Sequence, residues 1–223
     1  MLKIDGYPHV QYDASSKLGF LAYYYPSTSV RDGVLSEENW RHGSYSPEIL
    51  NYKEGRDEDI KRFVDPFLKL IRYVVAESKA NAAFLVPVPS SMAASDPMFS
   101  TVPRKKGVQG GRNRDNRNSV FCSMLAIADG SLKVSDCLVR VATKPEKETW
   151  TADKHAKSIE IRAVTALPSG RVALITVDDV KTDGGTLHGA RMILEKAYPQ
   201  TVVIGLSIGC TRAPQHFISL TTP

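Results

Sequence analysis

Several things the sequence lacks narrow its class. No apolar run approaches the roughly 18 residues that a membrane-spanning helix needs. The first stretch, MLKIDGYPHVQYD, has no continuous apolar core of the kind a secretory leader carries. Cysteine is scarce: Cys122, Cys137 and Cys210 lie far apart with no C-x-x-C pair, which leaves one unpaired in any disulfide scheme and offers no zinc knuckle. Together these absences suggest a cytoplasmic protein in a reducing compartment, with no membrane partner. Internal repeats and low-complexity tracts are missing, as are the phosphate-binding signatures G-x-x-x-x-G-K-[ST] and G-x-G-x-x-G. What remains is ordinary globular composition, 42% hydrophobic and 24% charged, in a chain of 223 residues, the length of one α/β domain.

The formal net charge of +5 is concentrated in one place. Between Arg104 and Arg117 stand Arg104, Lys105, Lys106, Arg112, Arg114 and Arg117 against the single acid Asp115, so the remainder of the chain is neutral. One concentrated basic loop suits an anion smaller than a nucleic acid, although nucleic acid stays open as a partner. Gly107, Gly110 and Gly111 within it favour a loop over a regular element.

Hydrophobic patterning predicts alternating strands and helices. Leu18–Tyr25 reads as a strand or hairpin arm, with Tyr23–Tyr25 either core or a stacking wall for a base. From Asp57 onward Ile60, Phe63, Val64, Phe67, Leu68, Ile71, Val74 and Val75 follow helical spacing behind an acidic start. Pro66 either kinks this helix or opens its second half with Asp65 as cap. Ala82–Val88 is a buried strand, Ser119–Ala128 a helix and Cys137–Val141 a strand. Val172–Val177, Thr186–Ala197 and Thr201–Ile208 read as strand, helix and strand. The expectation is an α/β fold with a mostly parallel sheet, residues 51–223 forming the core and 1–50 a small N-terminal hood.

One stretch carries chemistry. The apolar strand Val172–Val177 delivers Asp178 and Asp179 to its C-terminal end, a polar turn follows, and a helix opens at Thr186. In an open parallel sheet ligands bind beyond the strands' carboxyl ends. The turn Thr182, Asp183, Gly184, Gly185, Thr186 sets backbone amides at a helix N-terminus, where phosphate is favoured. The carboxylates suit sugar hydroxyls, or a cation bridging hydroxyls and phosphates, and are placed at a solvent-facing strand end. His155, in Lys154-His155-Ala156-Lys157, reads as a surface histidine rather than a general base, and His188 as a packing residue.

This stretch resembles the phosphoribosyl pyrophosphate (PRPP) motif of type I phosphoribosyltransferases, matched at Val177-Asp178-Asp179-Val180, Thr182, Gly184, Gly185 and Thr186. The competence protein F branch is the nearest in resemblance. There a strand ending Val-Pro-Val-Pro precedes an Arg- and Asn-rich loop, as in Val86-Pro87-Val88-Pro89 and Gly111-Arg112-Asn113-Arg114-Asp115-Asn116. Asn51-Tyr52-Lys53 loosely matches that branch's Lys-Tyr segment. The resemblance implies a phosphoribosyltransferase-like fold and transfer of ribose 5-phosphate from PRPP to a nucleobase or amine with release of pyrophosphate. Asp178 and Asp179 would hold the ribose hydroxyls, and residues 182–186 the 5′-phosphate. Pro89, Ser90 and Ser91, with Arg104, Lys105 or Arg112, would hold the pyrophosphate. Magnesium (Mg2+) would accompany PRPP, reaching Asp178 and Asp179 at most through ribose hydroxyls or water.

Three departures stand against the pattern. The branch's cysteine-rich zinc element is absent. Lys181 replaces an apolar residue, and Asp183 stands where a hydroxyl is usual beside the phosphate. Asp183 either points outward with PRPP bound, or caps the helix and fills the anion site internally. The alternative to an enzyme is a binding module for PRPP or a nucleotide, or a DNA-uptake or DNA-processing accessory; a homodimer is left open.

Overall fold

The structure, a computed structural model, describes residues 2–93, 95, 116–145, 148–162, 166–182 and 184–212. Arg104, Lys105, Arg112 and Asp183 lie outside the described residues. In chain order the elements are β1 (Gln11–Asp13), β2 (Leu18–Tyr24), α1 (Thr28–Arg31), α2 (Glu37–His42), α3 (Ser46–Lys53), α4 (Asp57–Arg62), α5 (Val64–Ser78) and β3 (Ala82–Pro87). Then follow α6 (Arg117–Ala128), β4 (Leu132–Val134), β5 (Leu138–Arg140), α7 (Ala152–Lys157), β6 (Ile159–Ile161), β7 (Val172–Lys181), α8 (Gly185–Ala197) and β8 (Val202–Thr211).

Six strands form one sheet in the order β1-β2-β8-β7-β3-β4, parallel throughout except for the β1–β2 hairpin at its edge. Residues 1–50, expected as a hood, supply two strands of this sheet and three short helices. The sheet is covered on both faces, as parallel strands require. Alternate residues of β7 show this: Ala173, Ile175 and Val177 join the core beneath α3, α4, α5 and α6, whereas Val172 and Leu174 join Leu187, Ala190 and Leu194 of α8. Val139 lies in β5, which pairs antiparallel with β6 in a separate two-stranded piece over the α8 face. Tyr23, Tyr24 and Tyr25 are all buried, and the three cysteines are buried and free. Among the described residues no helix is long and apolar enough to cross a membrane.

The helical spacing from Asp57 spans two helices. In one continuous helix the Pro66 ring would strike the carbonyl of Arg62, so α4 stops there and α5 restarts with its first bond from Phe67 N–H to Phe63 O. Phe63 is the cap, and Asp65 sits in the first turn instead of capping it.

One close approach bears on the site. A Cβ on Gly189 of α8 would fall 2.7 Å from His155 Cβ, 2.8 Å from Ala152 O and 2.9 Å from Ala156 N, so α7 packs against α8 only because residue 189 is glycine. Two of those atoms are backbone and cannot rotate aside. Gly189→Ala gains about 1 kcal/mol of helix propensity but forces α7 away, and overpacking typically costs about 1–3 kcal/mol. The expected outcome is a net loss of about 1 kcal/mol in urea unfolding. A variant as stable as the parent would contradict the close crossing.

Candidate functional site

The topology itself selects a location. From β3 the chain moves outward to β4 through α6 on one face, whereas from β7 it moves the other way to β8 through α8 on the opposite face. Between these neighbouring strands the connections diverge, and a crevice opens beyond their carboxyl ends. Pro87 ends β3 there, and Asp178–Lys181 continue β7 past it.

The two carboxylates lie inside β7, with Asp178 only 8% and Asp179 only 7% exposed, and the expected solvent-facing strand end is not found. The difference follows from strand length. β7 runs on to Lys181 because β8 pairs with it that far, while β3 stops opposite Val177. Beyond Val177 the β3 side of β7 has no strand partner, and the two carboxylates accept from neighbouring backbone amides. Asp179 N–H donates to Asp178 Oδ1 (2.9 Å), and Val180 N–H donates to Asp179 Oδ1 (2.6 Å).

Asp179 is held as an ion. Arg117, the first residue of α6, donates from Nη2 (2.6 Å) and Nε (3.0 Å) to its Oδ2. Burial alone would raise the Asp179 pKa, but the Arg117 charge, then Lys53, and the bonds from Arg117 and Val180 hold it below the usual carboxylate range. Lys53 also lies 5.2 Å from the centre of the Tyr24 ring.

Asp178 is in the opposite condition. Desolvation and the neighbouring Asp179 charge push its pKa up, against the Asp179 amide and Arg117. Asn118 approaches it through Nδ2 (3.3 Å), donates to Val88 O (2.9 Å), and accepts from the Tyr52 hydroxyl (3.1 Å). Tyr52 of α3 is fully buried and meets Asp178 only through Asn118, and Lys53 acts on Asp179 through its charge.

A cavity of about 120 Å³ opens ahead of α8, lined by Asp178, Thr182, Gly184, Gly185 and Thr186 with Lys144, Lys181, Trp150 and His155. Gly184 is the N-cap of α8 with φ +85°, a backbone state glycine adopts without strain, and it has no side chain with which to cap the helix. The start of a helix favours negative charge through its dipole and its first backbone amides. A Cβ there would meet Lys181 Cε and His188 Cδ2, both at 3.3 Å, so cationic and titratable groups flank the turn. Nearby, Lys154 Nζ pairs with Glu148 at 2.8 Å.

Pro89, Ser90 and Ser91 do not line this cavity. They form the loop after β3, tied through Arg140, which is buried and donates to Ser90 O (2.5 Å) and Ser158 Oγ (2.7 Å). Lys144 N–H closes the loop onto Ser91 O at 2.8 Å. Burial lowers the Arg140 pKa, opposed by the Asp178 charge, so this loop and the carboxylates share one electrostatic environment.

The structure therefore brings Asp178, Thr182, Gly184, Gly185 and Thr186 together and sets Asp179 against Arg117. Sequence patterning does not point to Arg117, Asn118, Arg140 or His155 as site residues. Arg117 stands out there only as part of a basic loop, and His155, expected at the surface, is 4% exposed. The available signal was the need of two buried acids for a cation and a hydrogen-bond donor; spacing along the chain does not say which residues supply them. Among the described residues no cluster of three His, Cys, Asp or Glu side chains forms a metal site. No protein-family model matches the chain, and comparison with curated proteins finds no match.

The two acids differ in their effect on stability. The folded pKa of Asp178 lies above its unfolded value, so its contribution is lost as pH rises past the ordinary carboxylate pKa of about 4. Asp179, with its pKa depressed, contributes above that pH and loses its contribution in acid. In urea unfolding, Asp178→Asn should be no less stable than the parent at pH above neutrality and should flatten the decline. Asp179→Asn strands the Arg117 charge and should cost about 3 kcal/mol. Equal losses in both variants would contradict the asymmetry.

Proposed function

We propose that the chain is a PRPP-binding phosphoribosyltransferase of the type I class, acting on a nucleobase or an amine. The observation that carries this reading is the cavity ahead of α8 at the point where the β3 and β7 connections diverge. It joins a glycine-capped helix start, two lysines and the buried Asp178 in one ligand-sized space. The motif resemblance at 177–186 falls on the same elements.

In this reading the 5′-phosphate sits in the cavity and the ribose hydroxyls lie over Asp178 and Asp179. The loop Pro89–Ser91, steadied by Arg140, faces the pyrophosphate. The acceptor nitrogen attacks ribose C1, and the bond from C1 to the pyrophosphate oxygen breaks with its electron pair leaving on pyrophosphate. Positive charge develops on the ribose ring, and the ionised Asp179 lies close enough to favour it electrostatically. Among the described residues no group of three His, Cys, Asp or Glu side chains surrounds Asp178 and Asp179; in this reading magnesium comes with the substrate, bound to its pyrophosphate oxygens.

A second reading, binding without turnover, draws on the Arg117–Asp179 ion pair. With Asp179 already engaged, a ribose must share it with Arg117 or displace that guanidinium. Calorimetry with PRPP, with and without magnesium, tests the first requirement of both readings. Binding should be tighter with magnesium, and at ligand 100-fold above Kd the protein should gain about 2.7 kcal/mol of stability. Absence of binding to PRPP and to ribose 5-phosphate at millimolar concentration would overturn them. Pyrophosphate release with an acceptor present separates enzyme from binder.

A further inference from the structure

We infer that His155 is a positioning residue of the cavity ahead of α8, acting through Thr186 so that oxyanions bind more tightly when its imidazole is protonated. The inference rests on the phosphate reading of that cavity. His155 is 4% exposed and yet lines the space, brought there by the α7–α8 crossing that Gly189 permits. Its Nε2 lies 3.4 Å from Thr186 Oγ1 in the first turn of α8.

The chemistry of that contact depends on protonation. A neutral imidazole with a bare Nε2 accepts the Thr186 hydroxyl hydrogen and keeps it from a ligand. An imidazolium can only donate, so the hydroxyl oxygen becomes the acceptor and its hydrogen is released to the cavity. Protonation thus supplies a positive charge and a hydroxyl donor together.

The surrounding charges favour coupling of this protonation to an anion. Lys144 and Lys181 line the same space and oppose a further positive charge until an anion arrives. Glu148 is taken up by Lys154 at 2.8 Å, and Trp150 lies edge-on to the His155 ring at 5.5 Å. Asp178 faces the cavity from β7, His188 flanks Gly184 on α8, and Arg140 reaches Ser158 just beyond α7. A cavity of about 120 Å³ has room for a tetrahedral oxyanion, since one water needs only about 10–15 Å³.

The probe is inorganic sulfate, which stays a dianion between about pH 5.5 and about pH 8.5, where a phosphate ester itself titrates near pH 6. Sulfate affinity of the parent protein should rise about tenfold toward the acid end, equivalent to about 1.4 kcal/mol. His155→Gln should remove the larger part of that rise, the remainder coming from ionisation of Asp178 at the cavity wall, and His42→Gln, outside the cavity lining, should keep it. In the parent, sulfate should also raise the midpoint of the His155 ring titration seen by NMR, a readout that needs no variant. A flat parent profile, an unmoved His155 midpoint, or a slope undiminished in His155→Gln overturns the inference. Flat binding that still accepts ribose 5-phosphate leaves the phosphate reading standing. Failure of both sulfate and ribose 5-phosphate to bind at any pH overturns the two together.

Discussion

Asp178 and Asp179 stand side by side in β7 with less than a tenth of either exposed, and neither could remain there as an isolated charge. Removing a carboxylate from water costs several kcal/mol unless it is paired or hydrogen-bonded. Two adjacent ones repel each other as well. The surrounding structure answers each acid differently. Arg117 neutralises Asp179, with Lys53 adding to the field, whereas Asp178 is left with Asn118 and a backbone amide and holds its proton more tightly. The geometry of the crevice follows from this division. The start of α6 must lie over Asp179, Tyr52 of α3 must orient Asn118, and the loop after β3 is fixed through Val88 O and Ser90 O.

The same division sets what the crevice offers a ligand. On the α8 face a poorly ionised acid looks into a cavity containing lysines and a histidine; on the α6 face an ionised acid is already held by a guanidinium. An anion is favoured on the first side, and a group with partial positive charge above the second. A sugar phosphate whose anomeric carbon becomes cationic during reaction presents those two needs at opposite ends.

Much of the fold was legible because local and global signals agree. The apolar runs at 82–88, 172–177 and 201–208 and the helical spacing at 186–197 are strong patterns, and each lies on an element of the described structure. The switch-point location was legible in part, since a strand ending in two acids before a glycine-bearing turn has few uses. Less legible were features set by distant partners. β7 extends past Val177 because β8 pairs there, and nothing in residues 178–181 announces it. Arg117 is one of six basic residues in its stretch, and only the tertiary placement of α6 turns it inward. His155 is buried by the glycine of another helix, 34 residues away in the chain.

The unequal protonation of the paired acids is the point on which the rest stands. Carbon-13 NMR of the aspartate carboxyl groups, followed from acid to alkaline pH in the ligand-free protein, reads it directly. The account predicts that Asp178 titrates above the ordinary carboxylate range of about 4 and Asp179 below it, two separate steps in one buried pair. Titration of both near the ordinary value, or of Asp179 above Asp178, would contradict it.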